Sequence, residues 1–201
     1  MILFELFNTE EAPQYQKLQI SNNNRQYDFL LSIIEASISA SRPFLSTTLV
    51  KALNYHAIAC LHTNAGEYRP CQVKVGDYEP PMAHSVAVLM EDLVNTVNFY
   101  WHSVDTATLA AYALWKLNHI HPFINGNGRT ARAACYFVVC AKSNGLLPGR
   151  IILPELIKQN RDLYVQRLKS VDENNGSDLS PLSSLISDLL EQQLNSANDD
   201  V

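Results

Sequence analysis

His121-Pro122-Phe123-Ile124-Asn125-Gly126-Asn127-Gly128-Arg129-Thr130-Ala131-Arg132 joins two apolar helical stretches. Its physics is that of a loop running into a helix N-terminus. Gly126 and Gly128 are expected to adopt positive φ and to let backbone N–H groups come close to a ligand. Those amides and the positive end of the helix dipole make an anion site. Arg129 and Arg132 stand three apart and share a face on the first turn. A cation there is unfavourable by ~0.3–1 kcal/mol, so the pair reads as awaiting an anion such as a polyphosphate. His121 titrates near neutrality and can take a proton from a hydroxyl nucleophile. Pro122 and Phe123 stiffen the turn and anchor it. The plainer alternative is a tight Gly-Asn-Gly turn with solvated arginines.

Working outward, apolar residues recur at helical spacing on both sides. Upstream lie Tyr27, Leu30, Ile33, Ile34 and Ile38; then Leu49, Val50, Leu53, Ala57 and Cys60 behind a Ser46 cap. Val86 to Val97 gives a third helix, and Leu109 to Leu117, opening near Asp105, a fourth. Ala133 to Ala141 follows the loop and stops at Asn144-Gly145. A sixth helix starts at Pro154 and runs through Tyr164 and Leu168. The last has Ser180 as N-cap and Pro181 at N1, followed by Leu182, Leu185, Ile186 and Leu189. One segment breaks the pattern. Arg69 to Pro81 alternates at Cys71, Val73 and Val75, turns at Gly76-Asp77 and ends in two prolines, which predicts a short β-hairpin. The fold class is therefore all-α with one short β-hairpin flap.

The chain has 201 residues, 47% hydrophobic and 17% charged, which suits one domain. No linker or repeat divides it, so a single domain over 1–201 is expected, with a core at 45–195, a helical extension at 1–44 and a frayed tail at 195–201. Acids exceed bases by 20 − 15 = 5. With no basic block, a nucleic-acid partner is not expected. Seven glycines disfavour a turn-rich β chain. No apolar run reaches the ~20 residues of a membrane span, and Met1 to Glu11 lacks a basic n-region. A cytoplasmic location is the expectation, with export by a signal-less route open. Cys60, Cys71, Cys135 and Cys140 form no CxxC pair and read as buried thiols in a reducing compartment. His119 and His121 make an HxH without a third zinc ligand nearby. Trp101 and Trp115 read as core residues.

The loop resembles the signature of the Fic family, His-Pro-Phe-x-(Asp/Glu)-Gly-Asn-Gly-Arg-x-x-Arg, at eight of nine fixed positions. Gly66-Glu67-Tyr68-Arg69 with Pro80-Pro81 resembles the family's hairpin region, and Arg161 and Tyr164 a pattern that follows the signature. The resemblance covers roughly residues 45–195. It implies a protein adenylyltransferase that moves AMP from ATP to a Ser, Thr or Tyr hydroxyl of a target protein or of itself, in some relatives within a homo-oligomer. It further implies that His121 is the general base and that Gly126, Asn127 and Gly128 form the anion hole. Arg129 would contact the phosphates and steady the leaving pyrophosphate, while Arg132 would hold the terminal phosphate. Val73, Lys74 and Val75 would register the target by strand addition.

Asn125 departs from the family pattern. Relatives carry Asp or Glu there as the protein ligand of Mg²⁺, and an amide oxygen offers that hard ion no charge. Besides AMP transfer, the sequence leaves open a nucleotide-binding regulator with weak or no turnover, a different nucleotide donor, and an interaction module built on the flap. Ser187-Asp188-Leu189-Leu190-Glu191-Gln192 resembles the family's inhibitory motif, apart from Gln192. The resemblance implies that Glu191 pairs with Arg132 and restrains the enzyme.

Overall fold

The helix that follows the glycine-rich loop is the centre of the molecule. In this computed structural model, which describes residues 6, 7, 9–41 and 43–197, that helix spans Asn127–Lys142 and buries every residue from Ala133 to Ala141. Small side chains let neighbours approach it closely: Ala131, Ala133, Ala134 and Cys135 are all at most 4% exposed. In chain order the described residues form α1 (Pro13–Ser39), α2 (Thr47–Ile58), α3 (Val86–Phe99), α4 (Thr106–Ile120), α5 (Asn127–Lys142), α6 (Leu153–Gln159), α7 (Arg161–Glu173) and α8 (Ser180–Asn195). Helices α1, α2, α4 and α6 pack around α5, while α8 closes against α4, α6 and α7. None of these helices is long and apolar enough to cross a membrane.

The cap expected at Ser46 is made, and Asp105, where the fourth helix was expected to open, caps as well. Ser46 Oγ accepts from Leu49 N at 3.1 Å, and Asp105 Oδ1 accepts from Thr108 N at 2.9 Å. Ser180 does not cap α8; Asp178 Oδ1 accepts its N–H at 2.9 Å instead. The expected sixth helix is two, broken at Asn160 (φ −95°, ψ 35°), where Leu156 O accepts the side-chain amide. Helix α1 begins at Pro13, well before Tyr27. Its early turns escape a search for apolar periodicity because they bury amides: Asn22 donates to Ala59 O at 2.8 Å, and Gln26 to Leu53 O at 2.9 Å. The thiols also divide. Cys135 and Cys140 are buried, whereas Cys60 and Cys71 are exposed, and all four are free. Cys60 stands beyond α2, with φ 62°.

The hairpin is a correction. Among the described residues the only β pairing is one antiparallel bridge, Val75 with Tyr78, closed in both directions at 2.9 and 3.0 Å around Gly76-Asp77. Pro80 and Pro81 have no N–H to extend a ladder toward Cys71. Side chains join the two limbs in its place. Gln72 donates to Pro80 O at 2.7 Å, and the Arg69 guanidinium reaches the carbonyls of Cys71 and Pro81. The expected tail at 195–201 lies partly outside the described residues; Asn195 still belongs to α8.

Candidate active site

His121 ends α4. Its φ of 50° and ψ of 59° are left-handed, and its N–H donates to Leu117 O at 3.0 Å. A non-glycine residue is seldom held there unless its surroundings impose it. The restraint comes from Arg69, which is 2% exposed and whose Nε donates to His121 O at 2.8 Å. The same guanidinium reaches Ile120 O and the two limbs of the flap. One buried cation thus answers the carbonyl end of α4 and fastens it to the flap. Burial and the Arg69 charge pull the His121 imidazole down to about 4, against a backbone hydrogen bond near Asn118 that favours its charged form. It is therefore neutral at pH 7, with a proton acceptor available.

The loop beyond His121 is closed by its own amides. Asn127 Oδ1 accepts from Phe123 N at 2.9 Å and its Nδ2 donates to Phe123 O at 2.8 Å. The Asn127 side chain is thereby spent on the loop, and only its backbone remains for a ligand. Gly126 alone takes positive φ (77°); Gly128 lies inside α5, contrary to the expectation for both. A Cβ on Gly126 would meet Ile58 Cγ2 at 2.8 Å, so α2 packs directly on the turn. Asn54, fully buried on α2, ties three segments: it donates to Asn125 O (2.9 Å) and Thr130 Oγ1 (3.3 Å) and accepts from Gly66 N (3.0 Å).

His121, Gly128, Arg129, Arg132 and Val75 line one cavity of about 860 Å³. Its walls come from α1 (Gln19, Asn23, Tyr27), the flap (Tyr78), the end of α4 (Asn118, His119) and the α6–α7 segment (Glu155, Lys158, Arg161, Tyr164). Burial lowers the proton affinity of Arg129 and Arg132, and each weakens or gains from its neighbours: Tyr15 and Glu10 favour charged Arg129, Tyr164 and Glu155 charged Arg132. Both remain cations. Arg129 Nη1 donates to Ala57 O at 2.8 Å, which fixes the guanidinium beside α2.

Several expected residues do not join this cavity. Val73, Lys74, Asn125, Gly126 and Asn127 do not line it, although Lys74 and Glu79 approach at 3.9 Å on the exposed flap. The largest departure is at α8. Ser187 and Glu191 lie on its exposed face, and Glu191 lines a separate surface depression with Asp188 and Gln192. Its expected partner Arg132 faces the other cavity. The face of α8 turned inward carries Leu182, Leu185, Ile186 and Leu189, with Gln193 fully buried among them.

Sequence reading missed several working residues. Asn54 carries no motif signal, and Arg69, though part of the stretch that resembles the family's hairpin region, carries none that points to its carbonyl partners. His119 belongs to a hydrogen-bonded cluster at the cavity wall. Its Nδ1 lies 2.9 Å from Asp172 Oδ1, which also accepts from Trp115 Nε1 at 2.8 Å, while Tyr78 OH donates to His119 O at 2.7 Å. Tyr164, on α7, accepts from Asn118 Nδ2 at 2.8 Å.

The Fic/DOC family pattern matches residues 44–139, the span from the approach to α2 through most of α5. The chain is 32% identical over 193 residues to protein adenylyltransferase Fic of Drosophila willistoni, covering 94% of this chain and 36% of that protein. Against the protein of the same name from Drosophila grimshawi the identity is 34%, with 83% of this chain and 33% of the relative covered. The chain thus spans about a third of the length of these curated relatives. Fic-1 from C. elegans (residues 134–508) superposes with a TM-score of 0.74 at 21% identity, over 96% of this chain and 54% of the other. The match across the loop, the surrounding helices and nearly the whole fold has one meaning: this chain belongs to the Fic/DOC family.

Proposed function

We propose that the chain is a protein adenylyltransferase, transferring AMP from ATP to a hydroxyl of a target protein. The observation that carries this reading is a neutral imidazole at the left-handed end of α4, facing a cavity that also holds Arg129 and Arg132. The volume suits a nucleotide, and the name of the curated relatives agrees with the reaction.

In the proposed reaction the target hydroxyl oxygen forms a bond to the α-phosphorus of ATP. The bond from that phosphorus to the bridging oxygen of the β-phosphate breaks, and pyrophosphate leaves with the electron pair. His121 takes the hydroxyl proton. Arg129 and the first-turn N–H groups of α5 offset charge on the phosphates, and Arg132 holds the far end of the chain of phosphates. Transfer of this kind rests on positioning and charge neutralisation. Mg²⁺, when bound, would supply further neutralisation between phosphate oxygens. Asn125 alone is a poor holder for it: the amide is uncharged, and its Oδ1 already accepts from Gly126 N at 2.5 Å. The target would lie along Gln72 to Lys74, which among the described residues make no backbone–backbone hydrogen bond.

Incubation with ATP, Mg²⁺ and candidate target proteins, read by intact-mass spectrometry, tests the reading. An added AMP is expected, with His121→Ala lowering the rate by about 10²-fold or more while nucleotide binding stays within a few fold. Nucleotide binding without any adduct would replace the enzyme by a nucleotide-responsive regulator.

A further inference from the structure

A carboxylate absent from the signature loop is supplied by a distant part of the chain. Glu10, just ahead of α1, stands beside Asn125 across 115 residues of sequence: Asn125 Nδ2 donates to Glu10 Oε1 at 3.2 Å. Tyr15, 2% exposed in the first turns of α1, donates its hydroxyl to the same oxygen at 3.1 Å. Tyr15 is itself packed edge-on against Phe7 at 5.9 Å, so the anchor of Glu10 is a seated ring. The carboxylate lies near enough to Arg129 to favour that guanidinium's charged form.

The orientation of Asn125 is informative. Its oxygen is turned back onto Gly126 N–H, and its NH₂ faces Glu10. The amide thus serves as a bracket between the loop and Glu10, and Glu10 brings an anionic oxygen to this corner. A Mg²⁺ that bridges phosphates commonly takes only one or two protein carboxylates and fills its other positions with phosphate oxygens and water. Glu10 meets that need, and Asn125 does not.

We propose that Glu10 is the protein carboxylate for the divalent cation that accompanies the nucleotide, held in place by Asn125 and Tyr15. The proposal rests on the reading of the cavity as a triphosphate site. Its consequence is that the segment ahead of α1 is part of the site, although it lies outside residues 44–139.

The test uses the full chain, Mn²⁺ as probe and an α,β-methylene analogue of ATP that cannot transfer AMP. Electron paramagnetic resonance counts Mn²⁺ held in the ternary complex. Glu10→Gln is expected to weaken Mn²⁺ about tenfold, Glu11→Gln to leave it unchanged, and Glu10→Gln with Asn125→Asp to recover most of the loss. Unaltered Mn²⁺ affinity in Glu10→Gln overturns the proposal. Failure of the unmodified chain to bind the analogue at any Mn²⁺ concentration removes the triphosphate reading itself, and the proposal with it.

Discussion

At the scale of single residues, the environment of the His121 imidazole, the proposed base, sets a pH dependence with a definite sign. Burial and Arg69 favour the neutral ring in the folded chain, pulling it down to about 4. The acid limb of kcat/KM should therefore sit well below the ordinary histidine value, leaving the rate nearly flat from pH 7 to ~5. Stability moves the other way. An unfolded chain takes up this proton near the usual 6.5, so the contribution of His121 is intact above that value. It is lost as pH falls through the interval down to about 4. Rate profiles and thermal melts over pH 4–8 read the two effects separately, and an acid limb at 6.5 would contradict the buried, neutral ring. That His121, Arg129 and Arg132 would meet at one site was legible, because residue type and spacing mark them, and all three line the cavity. The contacts of Asn54 and Arg69 were not legible, although Arg69 belongs to the stretch that resembles the hairpin region: their work is to satisfy carbonyls and amides of other segments, which no local pattern records.

At the scale of elements, α8 separates a motif match from a placement. Ser187 and Glu191 have the expected four-residue spacing, yet a helix has one face to bury, and the leucines at 182, 185 and 189 claim it. Glu191→Gly is therefore expected to leave the proposed AMP transfer unchanged within twofold. A large rise would return the inhibitory role to this helix. The consequential polar residue is Gln193, whose Oε1 accepts from Leu153 N at 2.7 Å and whose Nε2 donates to Leu147 O at 3.1 Å and Pro148 O at 3.2 Å. Gln193→Leu strands those groups at a cost of about 1–3 kcal/mol. That amounts to a fall in Tm of about 2–4 °C per kcal/mol, measurable by calorimetry. The flap teaches a related lesson. The sequence alternates at Cys71, Val73 and Val75, yet two prolines opposite prevent a ladder, and side chains hold the limbs together.

At the scale of the whole molecule, the helices and their apolar faces were largely readable, since periodicity and the caps at Ser46 and Asp105 are local facts. What escaped was the joining of distant segments. Arg69 is the main joint, linking the end of α4 to both limbs of the flap through carbonyls alone among the contacts described. A lysine offers one point charge where this geometry uses a fork. Arg69→Lys should thus lower Tm by several degrees and also raise the KM for the protein target, with a smaller change in nucleotide affinity. Loss of stability with target KM unchanged would confine Arg69 to scaffolding.

Helix α1 gives the cavity a wall through Gln19, Asn23 and Tyr27, yet it lies entirely upstream of the family match. Trimming the chain to its recognisable signature region would accordingly leave a half-shell, open on one flank and wetting leucines that evolved dry. The smallest unit able to enclose this cavity is larger than the segment that the family pattern matches.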